Sequence, residues 1–240
     1  MSQEKKIALV TGATKGIGFE IARQLGEQGM LVLIGARARG DEAARKLQEE
    51  GIEARAIMLD LCDQRSIDTA ARLIEDTYAR LDVLVNNAAV VAPEKALPSK
   101  QTPDSLRFIY ETNVFGTFAV TQAMIPLLRR SPAGRIVNMT SGLASLSMSS
   151  EAPADLLLHF SVAYSSSKAA VNAFTIYFAK ELEQAGIKVN AADPGRVATD
   201  MNPTATRTPR QGAAVAVQLA TLSADGPTGG FFDEKGRLPW

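Results

Sequence analysis

The fold of this chain is decided by residues 7–18, which read IALVTGATKGIG. The apolar run Ile7–Val10 predicts a buried strand, and the glycines that follow predict a tight turn into a helix. Gly12, Gly16 and Gly18 give the spacing Gly-x3-Gly-x-Gly. Backbone N–H groups at such a helix start can face a pyrophosphate, and glycines let the backbone approach it closely. This stretch therefore indicates a nucleotide site, although a glycine-rich turn can also be purely structural.

Apolar runs alternate with longer amphipathic stretches along most of the chain, a pattern typical of a parallel sheet covered by helices on both faces. The strands are expected at Ile7–Val10, Leu31–Gly35, Glu53–Leu59, Val83–Val85, Arg135–Met139, Lys188–Ala192 and Gly230–Phe232. The helices are expected at Gly16–Gln28, Asp41–Glu50, Gln64–Ala79, Asn113–Arg129, Tyr164–Gln184 and Pro209–Leu222. No repeat or composition break marks a second domain, so residues 1–240 are expected to form one α/β domain.

Two stretches interrupt this alternation. Residues 143–162 are rich in Ser, Ala and Leu and contain Pro153, so we expect a loop with a short helix near Asp155–His159. Residues 194–208 carry Pro203 and several threonines, and we expect a mobile flap there. Both stretches follow predicted strands and can therefore contribute to a ligand site.

Composition excludes several classes of function. Hydrophobic residues make up 46% of the chain, and 26 Lys and Arg balance 26 Asp and Glu. No global basic field exists to recruit nucleic acid or an acidic membrane. A single cysteine, Cys62, and a single histidine, His159, make an internal disulfide impossible and a zinc cluster improbable. The amino-terminal residues lack the apolar run of a signal peptide or membrane span, which predicts a cytoplasmic protein.

The segment Tyr164–Lys168 places a phenol and an ammonium one helical turn apart. Residues i and i+4 share a helix face, so Lys168 can hold its charge beside the Tyr164 hydroxyl. A free tyrosine ionises near pH ~10, and a neighbouring cation favours the phenolate. We therefore expect Lys168 to lower the pKa of Tyr164 and make it a general acid or base. Taken alone, the pair could equally be a residue at the core edge beside a snorkelling lysine.

The second strand ends beside Arg37, with Arg39 close behind, and Lys15 lies inside the glycine turn. An acidic residue at this position would bond a ribose diol, whereas an arginine favours a 2′-phosphate. The pair Arg37 and Lys15 therefore predicts NADP rather than NAD. Both side chains could instead be ordinary solvated charges.

Further candidates follow the other strands. Asp60 and Leu61 are placed to meet the adenine, and the run Asn86–Ala89 ends the fourth strand, although two asparagines can also form a simple turn. Ser141 can donate to a substrate carbonyl oxygen. Asn113 is expected to open a helix and hold a water in contact with Lys168. A turn hydroxyl for Ser141 and a helix cap for Asn113 are the alternatives.

Together these motifs resemble those of the short-chain dehydrogenase/reductase superfamily over nearly the whole chain. The resemblance implies a single-domain Rossmann fold with a seven-stranded parallel sheet. It implies the catalytic residues Asn113, Ser141, Tyr164 and Lys168. It also implies a Pro-Gly turn that meets the nicotinamide amide. The cofactor contacts it implies are Gly12, Thr14, Lys15, Gly16, Ile17, Gly18, Arg37, Asp60, Leu61, Asn87, Ala88, Ala89, Tyr164, Lys168, Pro194, Gly195, Val197 and Thr199.

Ser141 and Tyr164 are 23 positions apart, which is longer than is usual in the family. The spacing resembles that of carbonyl reductases. The inserted residues should lie over the pocket and beside the helix that begins at Tyr164, a surface that the family often uses to form tetramers. We therefore expect a monomer or homodimer.

The function predicted is NADPH-dependent reduction of a ketone or aldehyde, or the reverse oxidation, with general acid–base help worth about 10²–10⁴ in rate. The alternatives are an NADP redox sensor without turnover and, within enzymes, a dehydratase or epimerase. A serine hydrolase is excluded because no Gly-x-Ser-x-Gly elbow surrounds Ser141. Residues that suggest an apolar pocket for a bulky ketone, or else core packing, are Leu143, Leu146, Met148, Leu156, Leu157, Phe160 and Met201.

Overall fold

The strands form one sheet in the computed structural model, which describes residues 5–91, 96–157 and 161–240. The strands are β1 (Ile7–Thr11), β2 (Leu31–Ala36), β3 (Ala54–Met58), β4 (Val83–Asn86), β5 (Arg135–Met139), β6 (Lys188–Ala192), β7 (Phe231–Asp233) and β8 (Gly236–Leu238). Their order across the sheet is β3-β2-β1-β4-β5-β6-β7-β8. The first seven strands are parallel, as predicted. The order in which successive strands are added to the sheet reverses between β1 and β4, which is where this class of fold binds ligands.

The α-helices cover both faces of the sheet. They are α1 (Gly16–Glu27), α2 (Gly40–Glu49), α3 (Gln64–Tyr78), α4 (Pro103–Tyr110), α5 (Thr117–Leu128), α6 (Leu146–Glu151), α7 (Ala154–Leu157), α8 (Val162–Glu181) and α9 (Pro209–Ala220). No helix in the described part of the chain is long and apolar enough to cross a membrane.

Side-chain alternation along β1 shows how a hydrophobic core forms on each face of the sheet. Ala8 and Val10 are fully buried in a core that also holds apolar residues of α1, α2 and α9. Ile7 and Leu9 face the opposite core, which holds apolar residues of α3, α5 and α8. Because neighbouring strand residues point to opposite faces, a continuous apolar strand is buried on both sides, as a parallel sheet requires.

The eighth strand was not predicted. β8 pairs antiparallel with β7, and the carboxylate of Asp233 accepts hydrogen bonds from the backbone N–H of Lys235 at 2.8 Å and of Gly236 at 3.0 Å. This tight turn returns the chain along the sheet edge. The sequence DEKG at residues 233–236 is a turn signal of the type that joins hairpin strands, and it could have revealed β8.

The prediction that Asn113 opens a helix is wrong. The helical segment begins earlier, at α4, where the Thr102 hydroxyl accepts a hydrogen bond from Ser105 N at 3.2 Å. A π-helical turn over Glu111–Gly116 then joins α4 to α5. A Cβ atom on Gly116 would lie 2.6 Å from the Leu61 carbonyl oxygen, so this turn passes too close to Leu61 for any side chain. Asn113 therefore lies inside a continuous helical run.

The stretch after β5 is more ordered than predicted. A short 3₁₀ turn at Gly142–Ala144 leads into α6 and α7, and the Ser145 hydroxyl caps α6 by accepting from Met148 N at 3.0 Å. The expected short helix corresponds to α7, although His159 lies outside the described residues. We refer to residues 142–157 as the roof segment.

Candidate active site

The glycine turn lies at the carboxyl end of β1, with φ values of +63° at Gly12 and +59° at Gly16. Gly12 N donates to Gly35 O at 2.8 Å, and a Cβ on Gly12 would lie 2.9 Å from Ala88 Cα. A Cβ on Gly18 would lie 2.6 Å from Gly12 O and would also meet the Asn87 amide. These glycines are therefore required by close packing within the turn as well as by any ligand.

The segment after β4 is fastened to this turn by Thr11, a residue that sequence reasoning missed. The Thr11 hydroxyl accepts hydrogen bonds from Asn87 N and Ala88 N, both at 3.0 Å. The Asn87 amide donates in return to Thr11 O at 2.9 Å and Gly12 O at 3.2 Å. Asn87 and Ala88 thus lie beside the glycine turn, as predicted, and their N–H groups hold the two strand ends together.

The two cations expected to read a 2′-phosphate differ in their surroundings. Lys15 forms an exposed ion pair with Asp200, which joins the glycine turn to the flap and lowers the pKa of Asp200. Arg37 is exposed at the end of β2, and its guanidinium has no hydrogen-bond or ion-pair partner among the described residues. Arg39 pairs with Glu42 at 3.0 Å. Arg37 is therefore the cation of this group that is available to an anion.

Asp60 and Leu61 lie just beyond the end of β3. The Asp60 carboxylate accepts from Cys62 N at 3.0 Å, and Asp60 N donates to Ser66 Oγ at 2.9 Å. Leu61 is nearly buried against Gly116. Both residues border the same edge of the sheet as the glycine turn, because β1, β2 and β3 are parallel.

Tyr164 and Lys168 lie on α8 above the end of β5. Lys168 is 3% exposed, and its Nζ donates to Met139 O at 2.8 Å. The same nitrogen lies 5.9 Å from the centroid of the Tyr164 ring. Met139 is the last residue of β5 and precedes Ser141 by two positions. Its contact with Lys168 therefore brings the ammonium, the Tyr164 ring and Ser141 to the same strand end.

The expectation that Lys168 lowers the pKa of Tyr164 is wrong. Burial and, to a smaller extent, the negative charge of Asp193 together raise the pKa of Tyr164 to about 12. Burial also lowers the pKa of Lys168 to about 8. The sequence argument failed because it considered the helical pair alone and left out desolvation and Asp193.

Asn113 is fully buried and makes three hydrogen bonds. Its Oδ1 accepts from Val90 N at 2.8 Å, and its Nδ2 donates to Val90 O at 3.0 Å and to Ser167 Oγ at 3.2 Å. Ser167 Oγ in turn donates to Tyr164 O at 2.7 Å. Asn113 therefore ties the segment after β4 to the helix that carries Tyr164. Sequence reasoning did not identify Ser167.

Ser141 adopts an extended backbone just before the roof segment, and its hydroxyl accepts from Leu143 N at 3.3 Å. Met148 approaches from above, since its Cε lies 4.0 Å from the position of a Cβ on Gly142. Leu146 and Met148 are 71% and 41% exposed. The predicted apolar residues Phe160, Leu156 and Leu157 lie outside the described residues or have undescribed side chains.

The Pro-Gly turn, residues 193–195, follows β6. Asp193 N donates to Phe232 O at 2.8 Å, and Gly195 has a φ of +71°. Beyond it Val197 is buried, and Ala198 N donates to Arg207 O at 2.8 Å, so the two ends of the flap pair with each other. The Thr199 hydroxyl points at Val197 O at 3.5 Å.

Comparison with known proteins agrees with this geometry. The family described as short chain dehydrogenase matches residues 6–210. Carbonyl reductase (NADPH) 1 from Rattus norvegicus is 32% identical over 281 aligned positions that cover 100% of each chain. A short chain dehydrogenase from Shigella flexneri, solved in complex with NADP, is 30% identical with a TM-score of 0.84 and covers 96% of this chain and 97% of that one.

Salutaridine reductase from Papaver somniferum is a second similar protein of known structure. It has a TM-score of 0.80 and 28% identity, covering 96% of this chain and 100% of that one. The similarity therefore extends beyond the glycine turn over nearly the whole chain. The chain belongs to the short chain dehydrogenase family.

Proposed function

We propose that this protein is an NADPH-dependent carbonyl reductase that converts a ketone or aldehyde to an alcohol. The observation that carries the proposal is the position of Tyr164, Lys168 and Ser141 at the carboxyl end of β5, which lies at the same edge of the sheet as the glycine turn because β1, β4 and β5 are parallel. Lys168 Nζ bonds the carbonyl of Met139, two residues before Ser141, and lies against the Tyr164 ring. The NADPH relatives and the NADP-bound neighbour support the same cofactor.

The residues present fit a dinucleotide phosphate. Gly12 and Gly16 leave two positions of the turn without a side chain, and Thr199 lies next to the second, with its Cγ2 3.5 Å from the position of a Cβ on Gly16. Arg37, which has no ion-pair partner in the part of the chain that the structure describes, provides the charge that a 2′-phosphate needs. When bound, the cofactor supplies the hydride, and the protein supplies orientation and protons.

Side chains of the protein supply the proton and hold the carbonyl oxygen. Tyr164 donates the proton to the carbonyl oxygen, and Ser141 steadies that oxygen with its hydroxyl. Because burial raises the pKa of Tyr164, the phenol is protonated at neutral pH, which suits the reduction direction. Lys168 would hold the nicotinamide ribose, and Asn113 fixes α8 through Ser167. A water held between Asn113 and Lys168 would return protons from solvent to the site.

The exposed apolar side chains of the roof segment favour a bulky, apolar substrate. Leu146 and Met148 present exposed apolar surface next to Ser141, on the substrate side of the strand ends. Large exposed apolar side chains beside polar catalytic groups are typical of ligand sites. We further propose that residues 1–240 act as one domain, as a monomer or homodimer in the cytoplasm, which native mass spectrometry and fractionation would test.

A panel of ketones and aldehydes, followed by loss of NADPH absorbance, tests the function. We expect consumption of NADPH with formation of one alcohol per NADPH and slower consumption of NADH. Ser141→Ala should slow turnover by about 10²-fold, whereas Ser223→Ala, at an exposed serine near the amino end of β5, should leave it unchanged. Tight NADPH binding without turnover across the panel would contradict the proposal and favour a redox sensor.

A further inference from the structure

Trp240 follows β8 and contacts the roof segment, although the two are far apart in the sequence. Ser147, in the first turn of α6, donates its backbone N–H to the backbone oxygen of Trp240 at 3.0 Å. The next N–H along the chain, that of Met148, donates to the Ser145 hydroxyl at 3.0 Å. The first turn of α6 therefore has one N–H bonded within the roof segment and one bonded to Trp240.

The indole ring of Trp240 packs on Phe231 of β7. The two rings are stacked, with centroids 5.7 Å apart and an angle of 16° between their planes. Phe231 is fully buried, and it pairs with Leu238 across the hairpin. Because side chains two residues apart in an extended chain point to the same face, the chain after Leu238 brings Trp240 to the face that carries Phe231. The stack fixes the position of the backbone that accepts from the roof segment.

The hairpin of β7 and β8 also contacts the segments that follow β6. Phe232 O accepts from Asp193 N at 2.8 Å, at the Pro-Gly turn. In the hairpin turn, the Glu234 carboxylate accepts from the Arg207 guanidinium at 2.6 Å, at the end of the flap. The hairpin therefore supports both irregular segments at this edge of the sheet: the flap through Glu234 and the roof segment through Trp240.

The contact with Trp240 affects the surroundings of Ser141. Ser147 directly precedes Met148 in α6. The Met148 side chain reaches back toward Ser141, since its Cε lies 4.0 Å from the position of a Cβ on Gly142. Movement of α6 away from Trp240 would therefore carry this apolar side chain away from Ser141.

We propose that Trp240 is a positioning residue for substrate binding, which fastens the roof segment to the β7–β8 hairpin and so holds Leu146 and Met148 beside Ser141. The contact stands on its own, whereas its effect on substrate rests on the proposed function. The substrate affected is a carbonyl compound with a bulky apolar part, which would lie against the roof segment. A small aldehyde has no such part and should not depend on Trp240.

Three variants separate the contact from general effects on the hairpin. Trp240→Ala removes the ring that stacks on Phe231 and releases the backbone that accepts from Ser147. Trp240→Phe keeps an aromatic ring and should restore the wild-type behaviour. Arg237→Ala, at an exposed position on β8, is the control.

Hydrogen exchange of two neighbouring amides tests the contact without any need for turnover. In Trp240→Ala the Ser147 N–H loses its acceptor and should exchange about 5-fold faster. The Met148 N–H keeps the Ser145 hydroxyl and should change less. Trp240→Phe and Arg237→Ala should match the wild type. Unchanged exchange of the Ser147 N–H in Trp240→Ala would overturn the proposal.

Two measurements on the wild type keep the proposal testable if Trp240→Ala does not fold. A Ser147 N–H that exchanges as fast as in an unstructured peptide would overturn the contact. Trp240 is the single tryptophan of the chain, so tryptophan fluorescence reports on this residue alone. Acrylamide should quench it less steeply than N-acetyltryptophanamide, and equal quenching would overturn the stack on Phe231.

Kinetics with two substrates test the role in substrate binding. Trp240→Ala should raise KM for a bulky aromatic ketone about 5-fold and change kcat less than about 2-fold. KM for a small aldehyde should stay the same, and Trp240→Phe should restore KM for the ketone. An unchanged KM for the ketone, or an equal rise for both substrates, would overturn this role. A wild type that reduces no carbonyl would refute the proposed function, and the exchange of the Ser147 N–H would still decide the contact.

Discussion

The glycine turn and the roof segment lie at the same edge of the sheet but are held in different ways. The turn is fixed by four hydrogen bonds that Asn87 and Ala88 donate to Thr11 and Gly12, and its glycines allow close packing of the backbone. The roof segment is held by side-chain caps such as the Ser145 hydroxyl, and its Leu146 and Met148 side chains are exposed. A site for a constant ligand can be fixed by backbone packing, whereas a site for a variable substrate depends on side chains that can change without disturbing the fold.

Removal of the phenol should produce the largest effect. Tyr164→Phe should lower kcat at least about 10²-fold, because the proton donor is lost while the ring still packs against Lys168. NADPH binding, measured by fluorescence titration, should remain. Tyr177→Phe, a substitution at an exposed tyrosine on the same helix, serves as the control. Equal turnover in Tyr164→Phe and the wild type would remove Tyr164 from the mechanism.

The glycine turn should be intolerant of side chains. Gly12→Ala forces a left-handed φ and a close contact with Ala88, so we expect the free energy of unfolding to fall by about 2–4 kcal/mol. Gly51→Ala shares the left-handed φ but has no atom within 4 Å of the new Cβ, so it should cost only about 1 kcal/mol. Denaturant unfolding measures both, and equal losses would show that the contact with Ala88 is unimportant.

The cofactor preference should depend on Arg37. Arg37→Asp should lower the ratio of kcat/KM for NADPH to that for NADH at least about 10-fold, because a charge-assisted contact becomes a repulsion. Arg45→Asp on α2, which pairs weakly with Glu49 at 3.8 Å, is the matched control and should leave the ratio unchanged. An unaltered ratio in Arg37→Asp would assign the phosphate to another residue.

The roof segment should give the smallest effect, confined to substrate choice. Leu146→Ser should raise KM for a bulky aromatic ketone about 3-fold and leave a small aldehyde unaffected, because little apolar surface is lost. The side chain is 71% exposed, so the melting temperature should not change. Leu73→Ser, at an exposed position on α3, is the control. An equal change for both substrates would place Leu146 outside the pocket.

The contrast between the glycine turn and the roof segment also explains which parts of the structure could be predicted from the sequence. The alternation of apolar strands and helices was sufficient for the seven parallel strands, and the motifs at their ends were sufficient for the glycine turn and its neighbours. Sequence reasoning missed β8 because a three-residue strand carries little periodic signal. It placed Asn113 at a helix start because a π turn has no distinct pattern and α4 was not recognised.

Electrostatics at the reacting centre depended on distant residues. Asp193, 29 positions after Tyr164 in the chain, faces the phenol only because β6 lies beside β5. Desolvation of Tyr164 and Lys168 likewise depends on packing that the helical pair does not reveal. The spacing was therefore sufficient to place Tyr164 and Lys168 on one helix, whereas the direction of the pKa shift of Tyr164 required the folded structure.

The most direct test of the central claim follows the hydride. NADPH labelled with deuterium at the transferred position is incubated with the wild-type protein and the best ketone of the panel. The account predicts that the deuterium appears on the carbinol carbon of the alcohol, with one NADPH consumed per alcohol formed. Bound NADPH that keeps its deuterium with every carbonyl offered would contradict it.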